Sequence, residues 1–153
     1  MAFTLSSQIL VFVLSCFAPI HDDLVFMEAK NQVITQYKRY NAELDLGIRT
    51  SSFEISENGF IRYRKTDLAN KSEYFSVKLN EFKDATYLGD ENAGWLLLTF
   101  TEEAVIYQTY NDKKGNIDEM LTEIKIPLKN MDVNEINSFC KALKTLRLCN
   151  FKS

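Results

Sequence analysis

The chain is poor in the residues that most chemistry needs. Its 153 residues include one histidine, His21, and three cysteines, Cys16, Cys140 and Cys149. A single imidazole leaves histidine-based catalysis without a partner, and this cysteine count builds neither a zinc site nor a disulfide framework. There are two prolines, Pro19 and Pro127, and five glycines; no linker, repeat or low-complexity tract is present. Eighteen Lys and Arg stand against twenty-one Asp and Glu, a net charge of −3, so nothing draws the chain to nucleic acid or to anionic membranes in general. No charged side chain occurs between Met1 and Ile20. The calcium-loop pattern is absent, and no metal or cofactor is expected.

What is there is enough for one domain. At 46% hydrophobic and 25% charged the chain can bury an ordinary core. Residues 1–21 read as an apolar leader. Its densest run, Ile9 to Leu14, is followed by Ser15-Cys16, and Asp22-Asp23 opens the polar sequence. This is the shape of the apolar stretch of an export signal, and too short and interrupted for a membrane span. Val13-Leu14-Ser15-Cys16 resembles a bacterial lipoprotein lipobox. The resemblance implies cleavage before Cys16 and acylation of its sulfur, which would anchor the protein in a membrane outside the cytoplasm. The fit departs in two places: no Lys or Arg precedes the run, and Phe17 is bulky. Another export signal, or an apolar segment packed on a cytoplasmic domain, stays open.

Residues 22–50 read as a helical lead-in. Val33, Tyr37 and Tyr40 recur at helical spacing between Met27 and about Ala42. After Gly47 the period becomes two. Alternating runs around Phe53-Ile55, Ile61-Tyr63, Phe75-Leu79, Ala85-Leu88, Leu96-Phe100, Val105-Tyr107 and Met120-Leu128 predict seven short strands, with Gly59, Gly89, Gly94 and Gly115 between them. A three-residue loop, Glu57-Asn58-Gly59, predicts Phe53 opposite Tyr63, Ile55 opposite Ile61, and Glu54 opposite Arg62. Pairing Phe100 with Val105 would set Leu98 against Tyr107 and Leu96 against Thr109. Pro127 is confined to a strand end or edge. From Asp132 onward, Val133, Ile136, Phe139, Cys140, Leu143 and Leu146 make one stripe of an amphipathic helix, with Asp132 and Glu135 at capping spacing.

The order of these elements resembles the pleckstrin-homology-like fold: seven antiparallel strands, then one C-terminal helix, over residues 51–153, with Phe75-Ser76-Val77-Lys78-Leu79-Asn80-Glu81-Phe82 leading into the second sheet. The resemblance implies a mainly β (α+β) domain, a bent sandwich or partly open barrel closed by the C-terminal helix and preceded by a further helix. Some members bind phosphoinositides through basic residues on the first two strands. Arg49, Arg62 and Arg64 can be fitted to that basic site, although Glu54 opposite Arg62 gives that arginine a carboxylate of its own.

The remaining candidates are few. Trp95, Leu97, Ile106 and Tyr110 form a second apolar sheet face, either covered by the N-terminal helix or left as a surface for a protein partner. The acidic pairs Asp22-Asp23, Asp90-Glu91, Glu102-Glu103 and Asp118-Glu119 read as solvated turns. Cys140 reads as a structural thiol, and Cys149 can reach it only if the chain turns back after Leu146. The function expected is a non-enzymatic binding or assembly module with a protein partner, held to a membrane through Cys16 and not binding nucleic acid. A cytoplasmic interaction protein and a carboxylate-dependent enzyme are the alternatives.

Overall fold

The computed structural model describes residues 18–149; Cys16 and the leader up to residue 17 lie outside them. The described chain is mainly antiparallel β. Helix α1 (Ala18–Tyr40) leads, strands β1 (Ile48–Ile55), β2 (Phe60–Asp67), β3 (Ser72–Lys78), β4 (Phe82–Gly89), β5 (Ala93–Phe100), β6 (Val105–Tyr110), β7 (Asp118–Leu121) and β8 (Glu123–Lys129) follow, and helix α2 (Val133–Leu148) closes the order. One sheet runs β1-β2-β3-β6-β7 and the other β4-β5-β8.

Helix α1 is longer than its periodicity predicts, because it starts nine residues before Met27, at Ala18. Phe26, Ala29, Val33, Tyr37 and Tyr40 are buried along it, at steps of three and four that keep them on one face. Val, Ile and Thr are poor helix formers on their own. Packing decides here: α1 lies chiefly against α2, with smaller contacts to β1 and β8. Lys38 and Arg39 fall in its last turn, where cations suit the helix dipole. A 3-10 turn, Glu43–Leu46, then ends at Gly47 with φ 76°, a left-handed conformation that glycine adopts without cost.

The first hairpin has the expected register. Phe53 faces Tyr63, Ile55 faces Ile61 and Glu54 faces Arg62. The Ser56 N–H donates to Phe60 O at 2.9 Å, the Gly59 N–H donates to Ser56 O at 3.0 Å, and Gly59 has φ 75°. Alternation and turn chemistry agree at this hairpin, and together they fix the pairing.

Two expectations about the later strands are corrected. The Phe100–Val105, Leu98–Tyr107 and Leu96–Thr109 pairs do not form. Strand β5 pairs with β4 and β8, setting Leu98 between Ala85 and Ile124, and β6 pairs with β3 and β7, setting Tyr107 opposite Phe75. The Thr101 N–H donates to Glu81 O at 2.8 Å and the Phe100 N–H to Thr122 O at 2.9 Å, so the end of β5 is tied to the turn before β4 and to the junction of β7 and β8 rather than to β6. The last alternating run is also two strands. It leaves the five-stranded sheet at Leu121 and enters the three-stranded one at Glu123, a corner made by one strand changing sheets. Among the described residues there are therefore eight strands, not seven, and the two sheets do not close into a barrel. Pro127 sits in β8, an edge strand, where its missing N–H costs nothing.

The inner faces share one core with the helices. Five aromatic rings cross it in sequence: Tyr37, Phe53, Tyr63, Phe75 and Tyr107, with successive centroids 5.4, 6.2, 5.5 and 4.8 Å apart. Such contacts add about 0.5–1.5 kcal/mol each beyond the area they bury. Helix α2 begins at Asp132, whose side chain accepts from the Glu135 N–H at 2.9 Å, the expected cap. Its stripe is narrower than predicted. Phe139, Leu143 and Leu146 are buried, Ile136 and Cys140 are half-buried, and Val133 is 58% exposed, in a hollow between β4 and the first turns of α2.

Phe139 and Leu143 are 1% and 0% exposed. Replacing either with Ala is expected to cost ~2–5 kcal/mol. Urea midpoints unmoved by both substitutions would mean that α2 is not docked.

Candidate functional site

A depression runs between α1 and β1. Strand β1 is an edge strand, and α1 lies along it, leaving a groove of about 780 Å³ lined by the whole of residues 48–56. Its floor is Phe53 and Ile55, each only 3% exposed, so α1 shields the strand's open edge, one of the ways edge strands are protected. Lys30, Ile34 and Lys38 form the helical wall, and Arg49 and Arg62 stand on the sheet side. None of these four cations ion-pairs with a carboxylate among the described residues. Lys30 lies over the Phe26 ring and Arg62 over the Phe60 ring, at 5.8 and 5.9 Å. Glu54 is the one exposed acid of the groove.

One end of the groove is closed by a polar cluster that sequence reasoning missed. Glu43 is 1% exposed, and among the described residues it forms no ion pair. Its Oε2 accepts from the Tyr37 hydroxyl at 2.9 Å and from Asn41 Nδ2 at 2.7 Å, and its Oε1 accepts a short hydrogen bond from the Tyr63 hydroxyl. Asn41 Nδ2 also donates to Ser51 Oγ at 3.0 Å, and Tyr37 lies 2.8 Å from the same oxygen. Three neutral donors thus take the place of solvent around a buried carboxylate. Burial drives the Tyr63 and Tyr37 phenols far above their ordinary range, and the Glu43 charge drives them further; both stay protonated and keep donating. The visible clue was indirect. Tyr37 and Tyr63 occupy apolar positions of their patterns, and a buried tyrosine needs a partner for its hydroxyl. Nothing around Glu43 itself marks it as buried.

A second hollow, of about 570 Å³, opens beyond the other side of β1. Arg49, Thr50, Ser51, Ser52, Arg64, Thr66, Asn70, Ser72 and Asn111 line it. The structure thus brings two of the three predicted basic residues, Arg49 and Arg64, to one place. Arg62 is on the groove side instead. Glu54 faces Arg62 in register, yet the two form no ion pair among the described residues.

The predicted apolar face is divided. Trp95 and Leu97 belong to the outer face of the three-stranded sheet, Ile106 and Tyr110 to that of the five-stranded sheet. The reason is the partner choice of β5 and β6 described above. Helix α1 does not cover them: Trp95, Ile106 and Tyr110 are 42%, 41% and 49% exposed, and Leu97 is half-buried. Cys140 and Cys149 are free thiols, and burial pushes both upward in pKa, away from the thiolate that nucleophilic chemistry requires. Among the described residues no three His, Cys, Asp or Glu side chains gather to hold a metal ion, and no helix is long and apolar enough to cross a membrane. Cys16 lies outside the described residues.

No family model matches the chain, and no curated protein or solved structure matches it significantly.

Glu43→Leu removes the acceptor of three buried donors. It is expected to destabilise the domain by about 1–3 kcal/mol or more, with Tyr63→Phe costing less. Chemical denaturation of both variants measures this, and a Glu43→Leu protein as stable as the parent would show that the cluster does not hold α1 to the sheet.

Proposed function

We propose that the domain is a non-enzymatic binding module whose ligand is an extended acidic protein segment lying in the groove between α1 and β1. The observation that carries the reading is the charge of the groove. Lys30, Lys38, Arg49 and Arg62 line it with no carboxylate paired to any of them, against one exposed acid, Glu54, in a chain whose net charge is −3. Because α1 shields the edge of β1, the segment contacts side chains of both walls rather than a naked strand. Catalysis by carboxylates is disfavoured. Glu43 has both oxygens taken up by its donors, which leaves Glu54 without a second exposed carboxylate in the groove lining.

The fold belongs to the same reading. Two antiparallel sheets and a C-terminal helix in contact with β4 are what the pleckstrin-homology-like resemblance rests on, while the eighth strand and the crossovers β3-β6 and β5-β8 depart from it. The anchor is part of the same reading. Cys16 precedes the start of α1 by two positions, and acylation there would set the domain directly on a membrane outside the cytoplasm.

Two measurements test these statements. A labelled Glu-rich peptide should bind in fluorescence anisotropy while its Lys-rich counterpart does not. Added NaCl should weaken the binding. Lys38→Glu with Arg49→Glu should weaken it about tenfold or more, whereas Trp95→Ala leaves it unchanged. Equal binding of both peptides would remove the groove from consideration. For the anchor, the native protein should partition into detergent and have a mature N-terminus at a lipid-modified Cys16, and Cys16→Ser should abolish both. Recovery of soluble protein with Met1 to Ile20 intact refutes it.

A further inference from the structure

The two sheets end in four strand edges, those of β1, β7, β4 and β8. Three of them are covered, in whole or in part, by other elements. Helix α1 lies along β1. Helix α2 packs on β4, where Lys144 pairs with Asp84 at 2.8 Å. At β8 the Ala42 N–H donates to Pro127 O at 3.1 Å and Asn41 bridges Leu128. Strand β7 is different. Its backbone is hydrogen-bonded to β6 alone among the described residues, and residues 113–120 are all exposed. An uncovered edge strand is a template for another chain.

The side chains of this edge restrict which chain fits. Ile117-Asp118-Glu119-Met120 presents two acids between two large apolar side chains, all exposed. Asp118 accepts from Gln108 Nε2 at 3.2 Å, and neither Asp118 nor Glu119 forms an ion pair among the described residues. The lysines nearest in sequence, Lys113 and Lys114, lie on the far side of Gly115. Pairing of β7 with another β7 is opposed by its own charge, because it would crowd the carboxylates of both strands together. The groove between α1 and β1 carries the complementary set. Lys30, Lys38, Arg49 and Arg62 line it without carboxylate partners, and Ile34 and the exposed Leu44 add apolar surface.

We infer that the acidic segment bound in the groove is β7 of a second copy of this chain. This partner rests on the function proposed above, whose ligand it names. Asp118 and Glu119 of one copy meet the cations of the next, and Ile117 and Met120 meet Ile34 and Leu44. The four residues of β7 extend about 13 Å at ~3.3 Å per residue, and the groove follows residues 48–56 of the chain, so the strand fits within its length. Strands β1 and β7 are opposite edges of one sheet. A copy that gives its β7 therefore keeps its own groove free. The contact is heterologous, and it repeats from copy to copy rather than closing on two. One short strand in one groove makes a small interface, of the weak and transient kind.

Sedimentation velocity on the full chain, across a broad range of protein concentration, tests this. The mean mass should rise with concentration and fall with added NaCl. Asp118→Asn with Glu119→Gln, and separately Lys38→Glu with Arg49→Glu, should each weaken association about tenfold or more. All four side chains are exposed, so circular dichroism should be unchanged. Mixing the two double variants separates this contact from any other. The first keeps an intact groove and the second an intact β7, so together they should form one-to-one pairs that do not grow. A chain that stays monomeric throughout, association indifferent to both double variants, or no pairing on mixing overturns the contact. If the Glu-rich peptide binds while the chain stays monomeric, the groove keeps an acidic ligand and β7 is not that ligand. If the peptide does not bind either, the groove reading falls as well.

Discussion

The buried carboxylate of Glu43 is the constraint on which the arrangement of helix and sheet depends. It sits where the 3-10 turn leaves α1, and its three donors come from α1, from the residue after it, and from β2. Helix α1 is otherwise held mainly by α2, with lesser contact to β1 and β8. An unpaired charge in this position would be expensive. With Tyr37, Asn41 and Tyr63 aimed at it, the same charge becomes directional. Its donors on α1 and on β2 meet at one carboxylate, so it ties the end of α1 to the sheet. Tyr37, Asn41, Glu43 and Ser51 all line the groove, so its closed end is this cluster.

The aromatic row carries that constraint into the core. Tyr37 and Tyr63 are both donors to Glu43 and members of the chain of rings that continues through Phe75 to Tyr107. Tyr107 ends it in the same manner, its hydroxyl donating to Glu73 at 2.6 Å. Burial pushes the Tyr107 phenol up, and the Glu73 charge beside it pushes further. Burial also works against the Glu73 charge, but the hydrogen bonds from Tyr107 and Lys65 outweigh it and hold that carboxyl below its ordinary value. The stability Glu73 contributes is therefore present above the carboxylate range and is lost as pH falls through its lowered pKa. Each end of the row is a tyrosine hydroxyl satisfied by a carboxylate, which lets polar atoms enter an apolar core without remaining unpaired.

Much of the fold was legible in the sequence, for identifiable reasons. The first hairpin could be registered because alternation and the Gly59 turn gave independent, agreeing constraints. Helix α2 could be placed because Asp132 marks its start and Phe139, Leu143 and Leu146 keep one period. The β5 and β6 pairing could not. Alternation says which face of a strand is apolar and not which neighbour it takes, and Leu98 and Tyr107 look into the same core from different sheets. The split at Thr122 was hidden for a related reason: alternation runs unbroken through the corner. Of the sites, the shared hollow of Arg49 and Arg64 does not follow from the hairpin register, because an irregularity between Ile48 and Thr50 that alternation does not signal displaces Arg49. The Glu43 cluster does not follow from any period, because its members come from a helix, a turn and two strands.

The distribution of charge links the two depressions to how a partner would arrive. A net charge of −3 gives the whole molecule a weakly repulsive field toward an acidic ligand. Of the carboxylates around β1, Glu54 is exposed in the groove without an ion pair among the described residues, while others are buried or paired. Glu43 is buried among donors, Asp45 pairs with Lys129, and Asp112 and Glu73 are paired beside the hollow. Within a Debye length of about 8–10 Å, then, an approaching anion meets Arg49, Arg62, Arg64 and Lys38 rather than the average of the chain. Local positive potential on an acidic protein favours orientation over general attraction. That local charge comes from pairing acids such as Asp45, Asp112 and Glu73 with their own lysines, and it needs no excess of basic residues in the composition.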